Sequence, residues 1–181
     1  MKEVQHYPDQ ATRTGSLDLW LDVLLWILAE HARDGPLSLI DLCCGEMTNT
    51  SRLIFAHSVH VDVQDCPLRP QNYKFIQTDV CADHPVFEEH YDVALCSDGI
   101  EHLTVEQAVR LVRRMEDIAD LAVIFTPLGD YIVEPGTTHP DRHKSGWIPL
   151  SFHGLGFHTM TFPNWHPTLQ LGAFFAWKLR Q

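Results

Sequence analysis

The sequence has no long hydrophobic run. The longest apolar stretch, residues 19–29, is interrupted by Asp22 and is shorter than the roughly 20 residues that a helix needs to cross a bilayer. The first residues carry charges and a proline where a signal peptide would have an apolar core. We therefore expect a protein without a membrane span that stays in the cytoplasm.

Basic residues and cysteine pairs are also scarce. The sequence has 13 lysines and arginines but 24 acidic residues, which gives a formal net charge of -11. Such a charge repels nucleic acid phosphates and anionic membranes. The five cysteines are an odd number and show no Cys-x-x-Cys spacing, which argues against a disulfide framework and agrees with a reducing compartment. We expect neither nucleic acid nor a membrane as partner.

Several motifs of other enzyme classes are missing. The sequence contains no Gly-x-Ser-x-Gly nucleophile elbow, no P-loop and no His-Glu-x-x-His zinc motif. It also lacks internal repeats and low-complexity linkers. A chain of 181 residues with 45% apolar residues can bury one full core, so we expect a single domain over residues 1–181.

What the sequence does contain is an alternation of helical periods and short apolar runs. Ser16 caps an amphipathic helix that stops at Gly35-Pro36, and Thr104 with Gln107 has the spacing of a capping box for a helix to about residue 118. A further helix is predicted over 48–56. Strands are predicted over residues 37–42, 58–63, 73–77, 91–96 and 121–125, and a closing hairpin over 157–162 and 171–179.

This alternation predicts an α/β fold. We expect a doubly wound, mostly parallel sheet of seven strands with the last strand antiparallel and helices on both faces. Residues 1–35 would form an arm and helix that cover the site, and residues 36–181 the sheet core. The Pro- and Gly-rich segment 126–146 is predicted to be a long loop near the site.

The turn after the first strand carries a motif, Asp41-Leu42-Cys43-Cys44-Gly45-Glu46-Met47-Thr48. It resembles the first motif of class I S-adenosylmethionine-dependent methyltransferases, which usually reads Asp-x-Gly-x-Gly-x-Gly. Cys43 and Met47 replace two glycines and Gly45 remains. The cofactor has no pyrophosphate, so a tight phosphate-binding turn is not required. The resemblance implies cofactor contacts from Asp41, Cys43, Cys44, Gly45 and Glu46.

Two further segments follow the next strands. The resemblance implies that the Asp62 carboxylate binds the ribose hydroxyls of the cofactor, with Asp65 as the alternative if the strand ends later. It places Asp79 and Val80 against the adenine. An Asp at such a position also forms turns in many proteins, and that alternative stays open for Asp79.

The fourth segment, residues 91–103, resembles the strand and Glu-His-Leu sequence of many small-molecule methyltransferases. It implies that Ser97 and Asp98 contact the cofactor and that His102 lies at the mouth of the site. His143 precedes an aromatic and a proline that also resemble the family. Imidazole titrates near neutral pH, so His102 and His143 are the candidates for a catalytic base.

The same segment suggests a cation. Asp98-x-x-Glu101-His102 resembles the Glu-x-x-Glu-His arrangement with which some methyltransferases hold a divalent cation, and His139, Asp141 and His143 offer further ligands. From the sequence we assign no residue to a metal.

The resemblance spans residues 37–179 and implies an enzyme that uses S-adenosylmethionine and releases S-adenosylhomocysteine. We expect a small-molecule acceptor methylated on oxygen or nitrogen, while its identity and the oligomeric state stay open. Two alternatives remain. The chain could bind partners without catalysis, with Trp20 and Trp26 as surface candidates, although aromatic residues at helical spacing usually pack in a core or under a lid. It could also be a metal-dependent enzyme of another class on the same fold.

Overall fold

The computed structural model describes residues 14–46, 50–66, 73–130, 142–166 and 168–180. The described residues contain three α-helices: α1 (Leu17–His31), α2 (Val105–Ile118) and α3 (Pro149–His153). They also contain seven strands: β1 (Ser38–Leu42), β2 (His57–Asp62), β3 (Lys74–Gln77), β4 (Tyr91–Ser97), β5 (Ala119–Pro127), β6 (His158–His166) and β7 (Leu171–Leu179).

The seven strands form one sheet in the order β3-β2-β1-β4-β5-β7-β6. β1 pairs in parallel with β2 and with β4, and the parallel pairing continues to β3 on one side and β5 on the other. β7 is antiparallel to both of its neighbours, β5 and β6. The predicted fold class is therefore confirmed, including the antiparallel last strand.

The helices α1 and α2 begin at the predicted caps, although α1 ends at His31, before the predicted stop at Gly35-Pro36. The Ser16 hydroxyl accepts a hydrogen bond from the Leu19 N–H at 3.1 Å and begins α1. Thr104 and Gln107 form a reciprocal capping box at the start of α2. These caps satisfy backbone N–H groups that the first turn of a helix leaves without partners.

Helices cover both faces of the sheet. On one face, α2 and α3 bury residues such as Leu111 and Phe152 against strand residues that include Ile40 and Ala94. On the other face, α1 buries Trp20 and its apolar neighbours against the alternate strand residues, among them Leu39, Val93 and Leu95. Successive side chains of a strand point to opposite faces, which explains the two clusters.

The predicted helix over 48–56 is wrong for the residues that the structure describes. Only a 3₁₀ turn, Thr50–Arg52, forms there, and residues 47–49 lie outside the described residues. Leu53 is buried, whereas Ile54 beside it is fully exposed, so the segment offers no apolar helical stripe to pack on the sheet.

Trp20 is not available as a partner surface, because it serves the core packing that is usual for aromatic residues at helical spacing. Trp20 is buried and packs near Phe175, with ring centroids 6.3 Å apart. Trp26 is half-buried and stands edge-on to Trp177 at 5.9 Å. Both indoles therefore belong to the packing of α1 on the sheet.

None of the helices among the described residues combines the length and hydrophobicity that a membrane-spanning helix requires. The predicted N-terminal arm, residues 1–13, lies outside the described residues, and so do residues 131–141 of the predicted loop.

Candidate functional site

A cavity of about 300 Å³ lies at the topological switch point of the sheet, between β1 and β4. At this point the strand order, which runs from β1 through β2 to β3, reverses and continues on the other side with β4 and β5. In open parallel sheets, ligands bind outside the carboxyl ends of the strands at such a switch point. The cavity is lined by residues at or after the ends of four strands, by one residue of α2 and by one residue of segment 142–147. The lining residues are Cys43, Gly45, Asp62, Val63, Gln64, Asp79, Val80, Asp98, Gly99, His102, Leu103, Gln107 and Lys144.

The turn after β1 adopts a left-handed backbone at two positions. Cys43 has φ of 59° and Gly45 has φ of 51°. The Cys44 N–H donates to the carbonyl of Val61 at 3.1 Å, which ties the turn to β2. Cys43 thus takes a glycine-like conformation at the position where the family motif has glycine, at a cost on the order of 1 kcal/mol.

Asp62 ends β2 and is fixed by two backbone donors. Its Oδ2 accepts a hydrogen bond from the Gly45 N–H at 2.9 Å, and its Oδ1 accepts one from the Gln64 N–H at 2.8 Å. The side chain is nearly buried yet lines the cavity, and each oxygen keeps a lone pair for another donor. Asp65, the alternative, is exposed and is not a lining residue.

Asp79 and Val80 follow β3 and also line the cavity. Asp79 Oδ1 accepts a hydrogen bond from the Cys81 N–H at 2.8 Å, which is an Asx turn. The residue therefore forms the turn that the sequence left as an alternative and faces the cavity as well. Val80 is buried and gives the cavity an apolar wall.

Gly99 allows the turn after β4 to approach the turn after β1. A Cβ atom at Gly99 would lie 2.4 Å from the Cβ of Cys43 and 3.1 Å from the Sγ of Cys96. Asp98 beside it lines the cavity with a left-handed backbone, φ 49°. Sequence reasoning missed Gly99, because nothing in a single sequence shows that two turns touch.

Glu101, His102 and His143 form a cluster at the end of the cavity. One ligand atom from each lies within 4.8 Å of the other two, and the two imidazole rings stand edge-on with centroids 5.0 Å apart. Glu101 is 3% exposed, and its Oε2 accepts a hydrogen bond from the Thr126 hydroxyl at 3.0 Å. Burial, together with the negative charge of Asp98, raises the pKa of Glu101 to about 8.

The segment 142–147 is held against the 3₁₀ turn Ile100–His102. The backbone N–H groups of Lys144 and Ser145 donate to the Glu101 carbonyl at 2.7 and 3.1 Å. The indole N–H of Trp147 donates to the Ser145 hydroxyl at 2.9 Å. These bonds bring His143 and the cavity-lining Lys144 to the turn after β4.

Some predicted residues are not brought to the cavity surface. Asp41 is buried, and its Oδ2 accepts a hydrogen bond from the Thr50 hydroxyl at 2.7 Å and is 3.0 Å from His60 Nδ1. Cys44, Glu46 and Ser97 are not lining residues either. In the described part of the chain, α1 contributes no lining residue, so the expected cover by residues 1–35 stays a prediction.

Other lining residues were missed by sequence reasoning. Val63 and Gln64 directly follow Asp62, and their place in the chain was a usable signal. Gln107 was recognised only as a capping residue, and its side chain does accept the Thr104 N–H at 3.0 Å. Lys144 lies in a loop, where sequence patterns do not predict contacts.

Comparisons with known proteins identify the fold. The sequence matches no family model and no curated protein. The structure is similar to the methyltransferase domain of bacterial CtHen1, with a TM-score of 0.63 and 17% identity over 92% of this chain and 100% of that chain. It is also similar to magnesium protoporphyrin IX methyltransferase of Synechocystis with bound S-adenosylhomocysteine, with a TM-score of 0.62 and 15% identity over 91% of this chain and 83% of that chain. This chain has the fold of the class I S-adenosylmethionine-dependent methyltransferases.

The same fold serves other chemistry. The [4+2]-cyclase SpnF is similar with a TM-score of 0.60 and 12% identity, over 88% of this chain and 81% of that chain. The function of a methyltransferase fold must therefore be argued from its site.

Proposed function

We propose that this protein is an enzyme that binds S-adenosylmethionine in the cavity. It transfers the methyl group of the cofactor to an oxygen or nitrogen atom of a small molecule. The observation that carries the proposal is Asp62. Its carboxylate ends β2, is held by two backbone N–H groups and faces the cavity with a lone pair left on each oxygen. This is the hydrogen-bond acceptor that two adjacent ribose hydroxyls need.

The other lining residues fit the cofactor. Val80 offers an apolar contact and Asp79 a carboxylate for the adenine, next to each other after β3. Gly45 leaves open space, since a Cβ there would meet no heavy atom within 4 Å. The open space beside Gly45 supports a ligand that lies close to the backbone at this position.

The cofactor would supply a methyl group on a sulfonium, and the transfer is an in-line displacement. The protein's part is to align the acceptor and to exclude water. His102 lines the cavity, and the His143 ring lies edge-on to the His102 ring. These observations support one of the two imidazoles as the group that takes a proton from an acceptor hydroxyl.

The charge of the cavity supports an acceptor that is not a polyanion. The described lining includes the carboxylates of Asp62, Asp79 and Asp98 but a single cation, Lys144. A polyanion such as nucleic acid would be repelled by this surface. The five free cysteines support a location in the reducing cytoplasm.

Calorimetric titration with S-adenosylmethionine and S-adenosylhomocysteine tests the proposal. Ligand at 100 times its Kd should add about 2.7 kcal/mol to the free energy of unfolding and raise Tm by roughly 5 to 10 °C. An assay with radiolabelled methyl donor and pools of small hydroxylated and amino compounds would then find the acceptor. If neither ligand binds, the proposal fails and a non-catalytic role becomes the better explanation.

A further inference from the structure

We propose that Glu101, His102 and His143 form a binding site for one divalent transition-metal ion at the end of the cavity. The proposal that a metal binds here depends only on the geometry of these three side chains. The use of the metal in catalysis, where the ion would hold an acceptor hydroxyl, rests on the proposed function.

The distances suit a shared ion. The three ligand atoms lie within 4.8 Å of one another, whereas ligands bound to one ion at about 2.1 Å lie roughly 3.0 to 3.4 Å apart. An ion would therefore draw the side chains together by about 1 to 2 Å, which side-chain rotation can provide. Glu101 is buried, the two histidines are half-buried, and His102 lines the cavity, so the cluster is shielded and borders the cavity.

Neighbouring groups orient two of the ligands. His102 Nδ1 lies 3.3 Å from the carbonyl oxygen of Arg142, and a carbonyl only accepts, so Nδ1 carries the proton and Nε2 keeps its lone pair. The Thr126 hydroxyl donates to Glu101 Oε2 at 3.0 Å, and the Glu101 backbone N–H also donates to the carboxyl group. Metal-binding histidines and carboxylates are typically held by such outer hydrogen bonds.

The backbone joins the two halves of the cluster. The N–H groups of Lys144 and Ser145 donate to the carbonyl of Glu101, so the segment that carries His143 is tied to the residue that provides the carboxylate. The Ser145 hydroxyl adds a bond to the Ile100 carbonyl at 3.3 Å. The ligands therefore belong to one built unit, although about 40 residues separate His102 from His143.

Charge also favours a cation. Glu101 is a buried carboxyl, and the charged side chain that acts on it in the described part of the chain is the negative Asp98. A buried carboxylate is stable only when it is paired, protonated or bound to a metal. A cation bound between Glu101 and the two imidazoles would displace the carboxyl proton and balance the negative charge that is left.

The ligand set selects the class of ion. Two imidazoles and one carboxylate suit first-row transition ions such as Mn²⁺, Fe²⁺, Co²⁺ or Zn²⁺, whereas Mg²⁺ and Ca²⁺ prefer oxygen ligands throughout. Three protein ligands leave coordination positions open. A hydroxyl of the acceptor bound there would become more acidic, which favours oxygen as the methylated atom. The acidified hydroxyl would release its proton to solvent water, so the imidazoles would be ligands and a separate side-chain base would not be needed.

The test is a titration of chelator-treated protein with Co²⁺, followed by its visible absorption, and with Zn²⁺ and Mg²⁺ by calorimetry. We expect one Co²⁺ per chain, Zn²⁺ in competition with it, and Mg²⁺ binding at least 100-fold more weakly. Glu101→Gln and His143→Asn should each weaken Co²⁺ binding by about 100-fold or more. Thr126→Val removes only the outer hydrogen bond and should weaken it by about 10-fold.

His57→Asn is the matched control, because His57 is an exposed histidine at the opposite end of β2 and should leave the titration unchanged. The inference is overturned if Co²⁺ does not bind with saturation, or if Glu101→Gln and His143→Asn bind it like the wild type. S-adenosylhomocysteine titrations of the same samples separate the two proposals. Intact binding of S-adenosylhomocysteine without metal binding overturns only this inference, and the reverse overturns only the proposed function.

Discussion

The Gly45 N–H donates to the Asp62 carboxylate at 2.9 Å and thereby joins the turn after β1 to the end of β2. The contact gives the turn a fixed distance from the carboxylate, although two of the three glycines of the family motif are absent from it. Asp62 is thus both a structural acceptor and a lining residue of the cavity. Its substitution should affect ligand binding more than the substitution of any nearby exposed acid.

Asp62→Asn should raise the Kd for S-adenosylhomocysteine by about 10- to 100-fold. A hydrogen bond to a charged group contributes about 1.5 to 3 kcal/mol, and about 1.4 kcal/mol corresponds to a factor of 10 in Kd. Calorimetry of the two proteins measures the difference. Asp65→Asn makes the same change of charge at an exposed position and should leave Kd within about twofold. A larger effect at Asp65 than at Asp62 would mean that the ribose contact belongs to Asp65.

Gly99→Ala should lower the free energy of unfolding by about 1 to 3 kcal/mol, because its Cβ would meet the Cβ of Cys43 at 2.4 Å. Urea denaturation measures the loss. Gly154→Ala is the matched control, since Gly154 has a helical φ of -63° and an added Cβ there would meet no heavy atom within 4 Å. That variant should be neutral or up to about 1 kcal/mol more stable. Equal losses in both variants would contradict the close approach of the two turns.

Asp41→Asn should destabilise the protein by about 1 to 3 kcal/mol. The same buried oxygen, Asp41 Oδ2, accepts from the Thr50 hydroxyl and lies 3.0 Å from His60 Nδ1. An amide oxygen there is a weaker acceptor than a carboxylate, and the amide NH2 group brings donors into a buried position. Asp120→Asn provides the comparison, because Asp120 pairs with His90 on the surface and such pairs contribute about 1 kcal/mol or less. Thermal melts of the two variants measure their loss of stability. A larger loss of stability in Asp120→Asn than in Asp41→Asn would refute the structural role of Asp41.

Acid should remove a stabilising contribution from Asp92. The Arg33 guanidinium hydrogen bond, with those from Ser38, lowers the pKa of Asp92 to about 2 from its usual 3.8. A lowered carboxyl pKa stabilises the fold above pH 3.8, and this stabilisation is lost as the pH falls to about 2. It amounts to about 1 to 2 kcal/mol, since half-exposed Arg33 is partly screened by solvent.

Denaturation of the wild type and Asp92→Asn at about pH 7, 4 and 2.5 measures this contribution. The Asn variant should be less stable at neutral pH, and the difference should shrink as the pH falls toward the lowered pKa of Asp92. A difference that does not change with pH would show that the Asp92 charge contributes nothing.

The strands and α2 could be predicted from the sequence because local rules determine them. Buried parallel strands are short apolar runs, so the run over 91–96 predicts β4 with only Ser97 missed. The capping box of Thr104 and Gln107 begins α2 as its spacing predicts. The helix predicted over 48–56 failed because propensity alone does not show whether an apolar face has anything to pack against.

The position of a residue after a strand predicted that it lies near the cavity, but it did not predict what its side chain contacts. Asp62, Asp79, Val80 and Asp98 line the cavity as expected, because the carboxyl ends of parallel strands meet at one edge of a sheet. Asp41 follows the same rule, yet its side chain turns inward to Thr50 and His60. A single sequence does not reveal such a partnership.

Local propensity and composition were enough to determine the order of the strands, the helices α1 and α2, the acidic charge and the residues that follow each strand. They could not determine that Glu101, His102 and His143 meet. Hydrogen bonds from the Lys144 and Ser145 backbone to the Glu101 carbonyl bring a distant loop to the end of β4. Contacts between residues far apart in the chain depend on how the sheet and its loops pack, and packing is a property of the whole fold.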